Sequence, residues 1–204
     1  MRMADTISRS ETMTGEQIKI SVNSVFISRQ ETSWPDTRCW EKAYKEGKAR
    51  SLGISNFQGE KLERLLSESE IKPHVIQMEV HPYFTQKEIR ERLSEFGTKT
   101  MGWYPLGHGD RSLIDEEIFR KLGDKYRKSS AQIILRWHTQ MGFVVIPGSK
   151  NVDHIKDNLN ILDFKLTDEE MRKIAELDKN ERYYHRTDEQ LVQFAGWRPT
   201  FEKA

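Results

Sequence analysis

The spacing of apolar residues changes character at about residue 36. Before it the chain is polar and rich in Ser and Thr, with one apolar alternation at 22–27 that predicts a strand; the first fifteen residues read as disordered. Beyond it, short apolar runs alternate with segments whose leucines and isoleucines recur every three or four positions. A helix with Asp36 as its cap ends at Gly47, a strand is predicted at 49–54, and a helix at 58–68 carries Leu62, Leu65 and Leu66. The pattern repeats as strand 74–80 and helix 85–96, strand 99–104 and helix 115–127, a helix at 129–140, then strand 143–146 and helix 151–161. A last amphipathic helix is predicted at 168–177. Thr85 with Glu88, Ser129 with Gln132 and Thr167 with Glu170 each have the spacing of a capping box.

Short strands joined by helices of this length imply parallel pairing through crossovers, hence an α/β protein. Four βα units are clear and 22–27 is a candidate fifth, a count that fits half of an eight-stranded barrel or a small open sheet. Residues 1–35 form a poorly defined segment and 36–204 the folded part. No GxGxxG follows a strand, so a classical dinucleotide fingerprint is not supported.

Composition narrows the function classes. The 33 Lys and Arg offset 32 Asp and Glu to a net +1, which argues against nucleic acid as a partner. Mean hydropathy is −0.77, and no apolar run approaches the roughly 18 residues of a membrane span. The N-terminus has no apolar core of a secretory signal, and a lone Cys39 leaves neither a disulfide nor a cysteine-rich metal site; a cytoplasmic location is expected.

In parallel α/β folds the working residues follow the C-terminal ends of strands. Those loops read Gly53-Ile54-Ser55-Asn56-Phe57, Gln77 to Tyr83, Gly102-Trp103-Tyr104-Pro105-Leu106-Gly107, and Ile146-Pro147-Gly148-Ser149-Lys150-Asn151, with His154, Asp157 and Asn158 on the helix behind the last. Taken singly, Asn56 reads as a helix cap, Ser55 as a loop hydrogen bond, Gln77 as a strand-end amide and Trp103 as core. Together, GKARSLGISNF, IQMEVHPYF and VVIPGSKNVDHIKDNLNI resemble, in order and spacing, the C-terminal half of the aldo-keto reductases. These are (β/α)8-barrel enzymes that reduce aldehydes and ketones with NAD(P)H.

The resemblance implies a partial TIM-type barrel of four to five βα units and a nicotinamide cofactor. Ser55, Asn56 and Gln77 match positions that hydrogen-bond the carboxamide, and Trp103 matches the aromatic that stacks on the ring. Leu106 lies in the same cofactor loop. Gly148, Ser149, Asn151 and His154 match the loop and helix start that hold the adenosine phosphate, where a helix N-terminus favours an anion. Asp157 and Asn158 match adenine contacts; otherwise they read as a solvated helix face. Many members place cations where this chain has Gly148 and His154, so NADH becomes plausible and NADPH, with Lys150 nearby, is not excluded.

His81 reads as structural and His108 as a loop bend near the pyrophosphate, while Asp115, Glu116 and Glu117 read as a cap and first-turn acids. The family's proton-donating Tyr, with its Lys, Asp and His, belongs to the first four βα units, and this sequence has no match to them; Ser28 stands where the His would be. No catalytic residue and no metal ligand is therefore assigned. The expectation is an oxidoreductase-derived cofactor half, with an inactive interaction module or a degenerate product as the alternative. Unpaired strand edges predict self-association, with Ile54, Ile76, Met78 and Val145 facing the space left by the other half.

Overall fold

The computed structural model describes residues 19–21, 24–28 and 37–185, so the predicted Asp36 cap and the first fifteen residues lie outside the described part. The described residues fall into two compact units, one from 19–73 with 184–185 and one of His74–Tyr183.

In the first unit, β1 (Lys19–Ser21) pairs antiparallel with β2 (Ser24–Ser28), and β2 pairs in parallel with β3 (Ser51–Ser55). The strand expected at 22–27 thus forms, shifted by a residue or two and preceded by a short antiparallel partner. Helix α1 (Thr37–Lys45) stops at Gly47, whose φ of +71° is the left-handed geometry expected there. It packs on β3, and its Trp40 is buried along with Leu52 and Ile54. Helix α2 (Gly59–Glu68) buries Leu62, Leu65 and Leu66, the spacing that predicted it.

The second unit pairs β4 (Val75–Glu79), β5 (Lys99–Trp103) and β6 (Val144–Val145) in parallel. Between and after them run α3 (Lys87–Ser94), α4 (Arg111–Ile114), α5 (Glu117–Tyr126), α6 (Ser130–Gln140), α7 (Val152–Leu159) and α8 (Asp168–Ala175). Parallel strands linked by helices are the α/β architecture expected of part of a (β/α)8 barrel. Two of the three capping boxes form: Ser129 with Gln132 on α6, and Thr167 with Glu170 on α8. The third does not. The Thr85 hydroxyl donates to Asp178, and α3 begins behind Gln86 in the left-handed region without a side-chain cap. The helix expected at 115–127 is two pieces. Asp110 caps α4 by accepting the Ser112 N–H, Asp115 pairs with Arg111, and Glu116 precedes α5 without capping it.

Strand parity corrects the inward-facing set. Register partners on parallel strands share a face, so Ile76, Thr100, Met78, Gly102 and Val145 lie on one side and Gln77, Met101, Val144, Glu79 and Trp103 on the other. Ile54, Ile76 and Met78 are at most 1 % exposed. They are covered by the chain itself and do not face an empty space. The core of this unit continues into Leu93, Phe119, Ile133, Trp137 and Ile174.

Candidate functional site

At the C-terminal ends of β4, β5 and β6 lies an open cleft of about 500 Å³, within the ordinary range for small-molecule sites. It brings together four residues singled out in the sequence: Gln77 on β4, Trp103 at the end of β5, Leu106 in the following loop and Gly148 after β6. Parity explains the first two, since both project from the face opposite the buried Ile76 and Met78.

The β5 loop contributes more than the sequence suggested. Tyr104 and His108, at φ +55° and +52°, turn the chain sharply, and their rings stack at 3.7 Å with 16° between planes. Trp103 meets Tyr104 edge to face at 4.5 Å. His108 is the bend expected of it, but with Tyr104 it also lines the cleft as an aromatic wall. The sequence marked this loop through Trp103, Leu106, His108 and its glycines, but these signal a turn without revealing that it stacks Tyr104 on His108. Gly107 is required there: its φ is +78°, and a Cβ would meet the Tyr183 ring at 3.2 Å.

The remaining positions lie apart from the cleft lining. Ser55 and Asn56 belong to the first unit, at the end of β3; Asn56 takes φ +59°, and its amide donates to Ser55 Oγ at 3.2 Å. At the start of α7, Ser149 Oγ accepts the Asn151 N–H at 3.0 Å and Asn151 Oδ1 accepts the Asp153 N–H at 2.9 Å. Ser149 and Asn158 are half-buried, while Asn151, His154 and Asp157 are exposed.

Beside the cleft residues sits a buried polar cluster. His81 is wholly buried with Nε2 3.0 Å from Glu79 Oε1, in keeping with a structural role, and its Nδ1 finds no partner. The same Glu79 oxygen accepts the Tyr183 N–H at 2.5 Å, and Tyr83 O accepts from the Lys179 and Glu181 N–H groups. Residues 179–183 are thereby fastened over the β4 loop. The Tyr183 ring lies 4.6 Å from that of His81. Tyr83 donates to the Glu116 carboxylate; burial first, then that carboxylate, push its hydroxyl well above the usual tyrosine range. Tyr183 is likewise raised, chiefly by burial. Neither hydroxyl is poised to give up a proton. Among the described residues there is no group of three or more His, Cys, Asp or Glu able to hold a metal, and no helix long and apolar enough to cross a membrane.

Comparison with known proteins agrees with the architecture. The chain is 46 % identical over 154 residues to the glyoxal reductase of Bacillus subtilis, covering 76 % of this chain and 55 % of that protein. It is 38 % identical over 138 residues to the methylglyoxal reductase DkgA of Escherichia coli, covering 68 % and 50 %. Among solved structures it is similar to a Bombyx mori aldo-keto reductase in complex with NADP, with a TM-score of 0.71, 31 % identity, and 82 % and 61 % of the two chains covered. The chain spans about half the length of the curated relatives it matches. Since the aldo/keto reductase family model matches residues 21–179, most of the sequence, the chain belongs to the aldo/keto reductase family.

Proposed function

We propose that this chain carries the nicotinamide-cofactor half of an aldo/keto reductase and binds NAD(P)H in the β4–β6 cleft. The cleft shared by Gln77, Trp103, Leu106 and Gly148 carries the reading. An amide beside a flat indole fits a carboxamide-bearing ring, because the indole supplies stacking area and the amide both a donor and an acceptor. When bound, the cofactor would supply the hydride that the family's carbonyl reduction uses. Trp103 orients its ring, and Gln77 fixes which face is offered, with Ser55 and Asn56 matching the family's other carboxamide positions. Residues Gly148 to Asn158 hold the adenosine end. With Gly148 and His154 in place of cations, NADH binds at least as well as NADPH, and both bind weakly.

Small aldehydes are the substrate class of the family reading, supported by the relatives named for glyoxal and methylglyoxal. The chain by itself does not turn them over. Nothing in its sequence matches the family's proton donor, and the alkoxide left by hydride transfer needs one. A cytoplasmic setting, supported by the lone Cys39, and self-association through open strand edges complete the reading.

The test is titration of the purified protein with NADH and NADPH, read as tryptophan fluorescence, beside an aldehyde-reduction assay. Saturable quenching that Trp103→Ala removes, without turnover, is the expected result. Absence of quenching, or binding indifferent to Trp103→Ala, overturns the cofactor assignment; turnover in a preparation free of host reductases overturns the inactive reading.

A further inference from the structure

Helix α7 is amphipathic, yet none of its residues is buried. Val152, Ile155 and Leu159, spaced three and four apart, form one stripe and are 64 %, 46 % and 77 % exposed; Leu162 just beyond is 73 % exposed. The other large apolar side chains exposed among the described residues, Val144 and Ile146, belong to β6 and the cleft rim. Inwardly the helix is held by polar bonds. Gln132 Nε2 of α6 donates to the carbonyls of Asp157 and Asn160 at 3.1 and 3.0 Å, and Lys128 Nζ donates to that of Asn160 at 3.1 Å. A helix that meets its own fold through hydrogen bonds while presenting leucine and isoleucine to solvent has its hydrophobic contact elsewhere.

We propose that this stripe is the contact of a twofold dimer, in which α7 of one copy lies antiparallel on α7 of a second; the proposal rests on the self-association part of the reading above and moves its contact from the strand edges to this helix face. The stripe is self-complementary. Ile155 sits near its middle, so a twofold axis there sets Val152 against Leu159 of the partner, small against large, at both ends. Asp153 already pairs with Lys156 at 3.4 Å, which neutralises the flanking charges within each helix. A head-to-tail alternative, with β6 of one copy added to β2 of the next, is blocked because β1 occupies the outer edge of β2. The stripe and Leu162 expose on the order of several hundred Å² of apolar surface, a large share of the roughly 800 Å² per partner in a standard interface.

Light scattering coupled to gel filtration should give twice the 24.1 kDa chain mass for the 204-residue chain. The double substitution Ile155→Glu with Leu159→Glu should give the monomer mass with an unchanged far-ultraviolet dichroism spectrum. In a Cys39→Ser background, Val152→Cys with Leu159→Cys should form covalent dimers on mild oxidation. A monomeric wild-type protein overturns the self-association reading itself. A dimer that persists in the folded glutamate variant overturns only the α7 surface. If the glutamate variant unfolds, the cysteine pair decides: covalent dimers support the antiparallel contact, and their absence refutes it.

Discussion

Acidification from pH 7 to pH 5 should weaken the fold through one side chain, His138. It lies in the last turn of α6 with no exposed surface, Nδ1 2.8 Å from the Ile134 carbonyl and Nε2 3.1 Å from that of Val80. Burial is the dominant influence and holds its pKa at about 4; the two carbonyls pull upward, and the nearby His81 adds a smaller downward push. In the unfolded chain the ring titrates near 6.5. Between those values the unfolded state binds the proton and the folded state does not, so stability rises with pH across that window and is lost as pH falls through it. The loss comes to about 2 kcal/mol between pH 7 and pH 5 and about 3 kcal/mol by pH 4.

Urea unfolding followed by tryptophan fluorescence, at half-unit steps from pH 7 to pH 5, measures the slope. The comparison is His138→Gln, which removes the titrating ring but keeps a donor. Its absolute stability will be lower through lost packing, whereas the difference in slope isolates the proton, since every other titrating group is common to both proteins. Parallel pH profiles for the two proteins would show that His138 is protonated inside the fold as readily as outside, and the reasoning from burial would fail.

Glu170 should be a second sensitive point. Burial raises its carboxyl, but hydrogen bonds from Lys125 at 2.6 Å, Tyr126 at 2.7 Å and the Thr167 N–H at 2.7 Å outweigh that and hold it at about 2. Glu170→Ala should cost about 2 to 3 kcal/mol in urea unfolding at pH 7, and because the folded pKa is depressed the penalty should shrink as pH falls from 4.5 toward 2; a constant penalty refutes the carboxylate's role. Gly107→Ala should cost about 1 to 2 kcal/mol from the left-handed backbone alone, and should displace the Tyr183 ring, read as increased proteolysis beyond residue 179; unchanged stability and cleavage would show that the loop relaxes freely.

The parts of this fold that local chemistry dictates were legible in the sequence. Ser129 with Gln132 and Thr167 with Glu170 cap their helices because each box is closed by groups three residues apart. Thr85 with Glu88 has the same spacing and fails, since the Thr85 hydroxyl is claimed by Asp178, 93 residues away. A local pattern cannot register that competitor. The division of 111–126 into α4 and α5 has a similar origin: Asp115, a plausible cap by sequence, is instead drawn to Arg111.

The candidate site shows where alternation runs out. In β4, Val-Ile-Gln-Met-Glu alternates, and the residues with the longest apolar side chains looked like those facing the barrel interior. The structure assigns Ile76 and Met78 to the covered face and leaves Gln77 and Trp103 on the cleft face. Period two identifies two faces without saying which one a helix covers. In a parallel strand flanked by crossover helices, the helix-covered face is the one that must be apolar, so the polar member of the alternation marks the site. Gln77, already singled out as a carboxamide position, therefore also marks which face of β4 is the cleft face, and by the same alternation Ile76 and Met78 belong to the covered one. The reverse holds for α7, where polar residues such as Asp157 and Asn158 suggested a solvated face while Val152, Ile155 and Leu159 wait uncovered on the same helix. There the apolar positions carry the signal, because an element whose hydrophobic stripe its own fold leaves largely exposed points to a contact outside it.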